Sequence, residues 1–416
     1  MNRFFSIILA AFVGANVAQA QNNTSSPYTR YGYGELVQPG FGYSNSRGGL
    51  SVGLRNENHI NSGNPASFTA IDSMTFRFEF GASIKRSSFQ DKEREQTSWD
   101  QNLEYMAMQF PVGRYFGFSA GLQPFSFVGY EFSNRHVQPS SISSDTLAYT
   151  NSYIGQGNLT QLYLGLGANP FSNLHVGVNA YFNFGSIEHL SQVTFDNGAY
   201  HSSSQTNSMK VHDWAVGFGA QYVFPLAENR SLVVGATLDL PSVLTASADR
   251  EVITNYVDTT KINFDDSFGL PLGFGTGFEY ELSESLTVGA EYRFQKWSDV
   301  EYFGKKEFND RHRLACGLDW VPSSMSKNFF KRVSYRAGLN YSNSYFKVNG
   351  DDVKHYGASF GLGLPLRRTA NPSILNLGVE YGRAGEKSDD LILEQYFKFT
   401  LNLSINERWF AKRKFE

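Results

Sequence analysis

Nine charged residues set the chemistry open to this chain: Arg77, Glu79, Glu291, Arg293, Arg313, Asp319, Arg336, Glu380 and Lys398. Each stands in a stretch where polar and apolar residues alternate. A period of two sends alternate side chains to opposite faces of a β-strand. The charges therefore share a polar face, and an apolar face lies behind them. Around a watery lumen such charges either line an ion path or pair with one another and with Arg47, Arg55 and Glu57 upstream. Pairing is the reading we adopt, although water keeps such pairs weak. Other chemistry finds no support. The eight histidines are scattered without metal-ligand spacing. His212 and Asp213 are adjacent and so face opposite ways on a strand. No Ser/His or Asp/His constellation suggests a barrel protease or lipase. Gly273-Phe274-Gly275-Thr276-Gly277 is not followed by a helix, so it lacks the context of a phosphate cradle and reads as small lumenal residues. We expect no enzyme, no cofactor and no metal. A net charge of −3 gives no reason to expect a nucleic-acid partner.

The elements that would position these charges are strands. From Tyr396 to Ile405 one parity reads Phe397, Phe399, Leu401, Leu403, Ile405, and the other Lys398, Thr400, Asn402, Ser404. The same dyad recurs from Ser73 onward in about fourteen segments, beginning near residues 73, 102, 116, 157, 174, 209, 231, 268, 286, 311, 332, 353, 373 and 394. In the first, Met74, Phe76, Phe78, Phe80, Ala82 and Ile84 face lipid, and Thr75, Arg77, Glu79, Ser83 and Lys85 face the lumen. In the ninth, Leu286, Val288, Ala290, Tyr292 and Phe294 face out. A charge on the lipid face would cost about 2–4 kcal/mol at mid-bilayer, so this parity is an energetic requirement. Aromatic residues make up 15% of the chain and mean hydropathy is −0.35, which suits a barrel whose membrane signal is weak in each segment. Connectors alternate in length: 87–100, 133–156, 189–208, 248–267 and 299–310 are long, whereas those near Gly113, at 169–173, at 225–230 and at 283–285 are short. Long external loops and short periplasmic turns give that pattern. The single Cys316, which excludes an internal disulfide, falls on a lipid-facing parity with Leu314, Leu318 and Trp320. Trp297, Trp320 and Trp409 suit the interfacial girdles.

The expected fold is an all-β, transmembrane antiparallel barrel of about fourteen strands with an N-terminal plug. Residues 1–20 read as an export signal, with Arg3, an apolar run from Phe4 to Val13, and Ala18 and Ala20 before a cleavage point. Residues 21–72 read as an irregular hatch inside the barrel, 73–405 as the barrel and 406–416 as a periplasmic tail. The expected location is the outer membrane of a Gram-negative cell, with its lipids as partners.

The segment SRGGLSVGLRNENHINSGNPASFTA, residues 46–70, is similar to the amino-terminal region of the long-chain fatty acid transporter family of outer-membrane proteins. The match is carried by Gly48, Gly49, Asn64, Pro65, Ala66 and Phe68. The resemblance implies a hatch within a fourteen-stranded barrel. The ending LNLSINERWFAKRKFE looks like that of uncharacterised barrels from Bacteroidota. Asn64-Pro65-Ala66 either closes a local turn before the first strand or belongs to a mobile, gating hatch. Pro124 falls between Leu122 and Phe125 of the third strand, where the family's wall opens sideways. It either marks such a lateral gap or the strand ends near Gln123. Pro241 and Pro271 are further candidate kinks or ends. Two functions follow: passive uptake of hydrophobic, fatty-acid-like molecules, or a non-transporting barrel that docks envelope partners of a secretion or assembly complex. No residue here matches the transporters' ligand pocket. The discriminating feature is the lumen: an apolar cavity beneath the loops for a transporter, a filled interior for a scaffold.

Overall fold

Outward apolar residues and inward polar ones roll the chain into a closed antiparallel cylinder. The computed structural model describes residues 23–92, 94–139, 146–196, 200–227, 230–254, 258–264, 268–369, 371–388 and 391–408. The expected export signal, its cleavage point, Trp409 and the tail beyond Arg408 lie outside the described residues. Fourteen strands form the wall. They are Thr75–Gln90, Glu95–Val112, Phe116–Pro139, Thr146–Phe171, Leu174–Phe195 and Ser203–Ala227. The seventh comes in three pieces, Arg230–Asp239, Ser242–Val243 and Ala246–Thr254, and so does the eighth, Asp258–Asn263, Gly269–Leu270 and Gly273–Ser283. Leu286–Gln295, Arg311–Trp320, Ser334–Val348, Asp351–Pro365, Ile374–Ala384 and Leu393–Arg408 complete the set. The last pairs with the first from Leu393↔Gln90 to Arg408↔Thr75, and this closes the wall. Closure removes the edges that hydrocarbon does not tolerate.

The parity read from the sequence holds. Ile84, Leu314, Leu339, Phe360, Phe399 and Leu401 are exposed to the surroundings of the barrel, whereas Arg77, Glu79, Glu291, Arg313 and Arg336 are buried inside. Cys316 is exposed on the outer face, as expected. Outward apolar residues of the last strand run from Ile405 to Phe397. At about 3.3 Å per residue and a tilt near 40°, that run covers a band roughly 20–25 Å tall.

Several expectations need correction. The long loops at 87–100, 133–156, 189–208 and 248–267 are mostly ladder: the flanking strands continue past the apolar band and meet close to the hairpin tips. Above the band neither face touches lipid, so the alternation that marks a strand in the sequence is gone. The third to sixth strands reach 24, 26, 22 and 25 residues. A tilted strand needs about 9–11 residues to cross, so a tall sheet stands outside the membrane on one side of the barrel. Trp297 is no girdle residue; it is fully buried in an aromatic core under the loops. The third strand does not end near Gln123 but runs to Pro139.

Pro241 and Pro271 share one gap. Asp239↔Gly273, Ser242↔Leu270 and Asp249↔Asn263 keep a single register. The two prolines therefore fall opposite each other, and neither can donate to the ladder.

Candidate functional site in the lumen

The backbone of residues 47–69 packs against rows of inward glycines on the wall. A methyl group at Gly117 would stand 2.0 Å from the Phe68 carbonyl oxygen, at Gly235 2.1 Å from the Val52 oxygen, and at Gly338 2.1 Å from the Gly48 nitrogen. Nothing larger than hydrogen fits between the inner segment and the wall there. Gly48 and Gly49 adopt φ of 71° and 77°, the left-handed region that glycine enters without penalty. The Gly273, Gly275 and Gly277 run belongs to this lumenal lining, and Phe274 and Phe278 on the opposite parity face outward.

The lumenal charges hold the same segment. Glu291 accepts the Ser51 and Val52 amides at 2.6 and 2.9 Å and pairs with Arg313 at 2.6 Å and Arg293 at 3.4 Å. Glu79 accepts the Ile60 amide at 2.9 Å. Arg77 donates to the His59 carbonyl at 3.4 Å and to Asn406 at 2.8 Å. Arg293 donates to the Gly63 carbonyl at 3.0 Å and Arg313 to that of Gly48 at 2.5 Å. Asp319 accepts from the Tyr43 hydroxyl at 2.9 Å, and Arg336 lies 4.5 Å over the Tyr43 ring. Seven of the nine expected charges thus meet the inner segment. The other two stay on the wall: Lys398 pairs with Glu104 at 2.9 Å, and Glu380 accepts from the Tyr396 hydroxyl at 3.2 Å. Arg47 has an acidic partner, Glu279, at 2.6 Å, and neither side chain is more than 8% exposed. The Arg55 guanidinium instead reaches the Ala66 carbonyl, Thr69, Gln221 and His175, and Glu57 stands exposed. Sequence reasoning missed Glu279, although it shares its inward parity with Gly273, Gly275 and Gly277. It also missed Glu104 and Tyr43. His59, stacked 4.3 Å from Tyr43, is pushed below the usual histidine range by burial, against the pull of Glu79.

Asn64 begins a 3-10 turn, Pro65–Ala70, and its side chain accepts the Ala66 amide at 3.1 Å. Its amide also donates to the Val52 carbonyl at 2.7 Å and the Ala220 carbonyl at 3.3 Å. Phe68 is fully buried against Tyr163, and its carbonyl accepts from Gln109 at 2.9 Å. The motif closes a turn and ties it to the wall.

Above these contacts lies an apolar core. Tyr28 and Tyr33 of the inner segment meet Val128, Tyr130, Leu159, Ile187, Phe268, Trp297 and Tyr345 from the wall and loops. Beside Pro124 lies a cavity of about 160 Å³ lined by Leu36, Phe41, Phe125 and Tyr181 together with Glu104, Asp239, Arg293 and Arg313, and a second of about 490 Å³ is lined by Asn23, Ile187, Met209 and Asp249.

At Pro124 the wall is asymmetric. Towards the fourth strand the ladder continues, with one register shift between Pro124 and Ser126. Towards the second strand it stops at Met106↔Leu122. The notch so formed holds the start of the inner segment. Glu35 and Leu36 pair with Phe127 and Ser126 of the third strand. On the other side, Ser25 donates to Asp100 at 2.7 Å and Asn102 donates to the Asn23 carbonyl at 2.7 Å.

A family model described as BamG matches residues 1–416. No curated protein matches the sequence. Solved structures share the fold at low identity. The toluene transporter TodX of P. putida is 14% identical, with 90% of this chain and 100% of that chain covered and a TM-score of 0.59. The toluene transporter TbuX of Ralstonia pickettii is 12% identical, covering 89% and 99%, at 0.60. A Pseudomonas aeruginosa FadL homologue is 12% identical, covering 90% and 99%, at 0.59.

Proposed function

Because this chain belongs to the BamG family, we propose that it is a non-transporting outer-membrane barrel that docks partner subunits of a secretion or assembly complex. The observation that carries this reading is the filled lumen. Carboxylates and guanidiniums that a conducting path would leave to water instead bond the backbone of residues 48–63. The wall's glycines leave that segment no slack. The chain's exposed investment is the tall external sheet, which supplies docking area that a simple pore does not need. In this reading residues 23–72 act as a fixed plug that braces the cylinder, and no step of catalysis is involved.

One observation favours the second reading, passive uptake of hydrophobic molecules gated by the hatch, with exit past Pro124. The cavity beside Pro124, about 160 Å³, matches in volume the 150 Å³ engineered apolar cavity that takes up benzene, and Leu36, Phe41, Phe125 and Phe274 give it apolar lining alongside Glu104, Asp239, Arg311 and Arg313. Two of the similar structures, TodX and TbuX, are toluene transporters. A single small hydrocarbon fits such a space, whereas a long acyl chain does not.

The test is mild-detergent purification of the intact chain from native outer membrane. Docking predicts partner proteins in fixed stoichiometry and no uptake of labelled toluene into vesicles that hold the purified chain. Uptake that depends on the chain, with no stoichiometric partner, would replace the first reading with the second.

A further inference from the structure

The notch between the second and third strands leaves more edge than the inner segment covers. On the third strand, Phe125, Phe127 and Gly129 turn their backbone groups towards the notch. The Phe125 carbonyl accepts the Val37 amide, Phe127 pairs with Glu35, and Gly129 exchanges bonds with the Thr29 hydroxyl at 3.2 Å. Gly32 and Gly34, at φ of 58° and 85°, then turn the inner segment away. Alternation of the ladder gives the next residues on that edge as Glu131, Ser133, Arg135 and Val137. Among the described residues, nothing pairs with their backbone groups on that side. Their neighbours Phe132, Asn134 and His136 bond inward to the fourth strand through Tyr153, Asn151 and Tyr149. Glu131 to Gln138 is exposed apart from the half-buried Phe132, and no bulge interrupts the stretch.

We infer that this upper edge, Glu131 to Val137, is the docking edge for an extended strand of a partner protein. The inference rests on the docking function proposed above and locates it. Unpaired amide and carbonyl groups in a row are satisfied by another strand and by little else. The lower half of the same edge already takes a strand from the chain itself, so the partner strand continues an existing interface end to end above Glu35. The flanking chemistry sets its pattern. One parity of the partner strand lies beside Phe132, over which Arg30 sits at 6.0 Å, and is apolar or aromatic. The other lies beside Glu131, Ser133 and Arg135, and is polar or charged.

Proline tests this without unfolding the wall. At Glu131 and Ser133 it removes amides that face the notch and leaves the bonds to the fourth strand in place. The double variant Glu131→Pro/Ser133→Pro should retain heat-modifiable barrel mobility. Its recovery of the stoichiometric partner from native membrane should fall at least tenfold. Thr259→Pro/Lys261→Pro, on the opposite edge of the tall sheet, should recover the partner as the wild type does. A photo-cross-linking residue at Ser133 should join that partner, and one at Thr259 should not. Full recovery by the Glu131/Ser133 variant, or cross-linking from Thr259 alone, overturns the edge and leaves the docking function standing. A wild-type chain that brings down no stoichiometric partner overturns both.

Discussion

Replacing Arg47 by methionine asks how dry the lumen is. The Arg47 guanidinium is fully buried, donates to Glu279 at 2.6 Å and to the Tyr43 hydroxyl at 3.0 Å, and lies 5.1 Å over the Tyr43 ring. Methionine keeps the stem volume and deletes the charge. Glu279, 7% exposed, is left with the Arg55 amide at 2.9 Å and no cation in contact. Breaking a buried pair by removing one partner costs about 3–5 kcal/mol, which is roughly 10²- to 10³-fold or more in the balance between seated and released inner segment. Hydrogen exchange of the amides of Arg47 and Gly49, both bonded to the Ser44 carbonyl, reads that balance in purified barrels. The Arg47→Met/Glu279→Gln double variant removes the stranded charge and keeps an acceptor for Arg55, so most of the loss should be recovered. If Arg47→Met changes exchange by less than about threefold, the pair is worth no more than a screened surface bridge. The lumen is then wet at that depth, and the reasoning fails.

Other outcomes follow from the same contacts. Gly338→Leu places its side chain against the Gly48 nitrogen and the Arg47 backbone. Overpacking of about 1–3 kcal/mol or more should expose Arg47 and Arg55 to trypsin in the folded barrel, whereas Gly113→Ala, which meets nothing within 4 Å and strains only its own turn at a φ of 68°, should not. His59 is neutral when seated because burial depresses it, while a released chain takes up a proton below about pH 6.5. Seating should therefore weaken as pH falls below 6.5 and hold steady above it, and His59→Gln should flatten that part of the exchange-versus-pH profile. Leu314→Arg puts a charge on the lipid face, where Leu314 is 52% exposed. It should lower barrel stability in vesicles by about 2–4 kcal/mol, measured by denaturant titration of heat-modifiable migration.

The sequence made the wall legible because lipid enforces it: every outward residue between Ile405 and Phe397 must be apolar, and its neighbours answer to the lumen. That constraint lapses above the membrane. The strands reaching Pro139, Phe195 and Thr254 therefore read as loops, although their backbone ladders continue. Trp297 was misplaced for the opposite reason: an aromatic at a strand end suits a membrane interface and an aromatic core equally well. The expectation of an inner segment came from the resemblance around Asn64-Pro65-Ala66 and from the irregular texture of residues 21–72, which have no periodicity to set their contacts. The lumenal charges were visible as residues, but their partners were not. Most of them bond backbone amides and carbonyls of residues 48–63, and no spacing in the sequence announces a backbone partner. Pro124 stands two residues past the point where the third strand's ladder to the second stops. That its ladder breaks on one edge and continues on the other depends on the neighbours, and a single strand's sequence does not carry that.

Current through the purified chain in a planar lipid bilayer tests the filled lumen most directly. A segment fixed by Glu79, Glu279, Glu291 and Arg313 and capped by the Tyr33–Trp297 core predicts no steady conductance from the wild type, and stable open channels once residues 23–72 are deleted. A steady ohmic current from the intact chain would contradict the account.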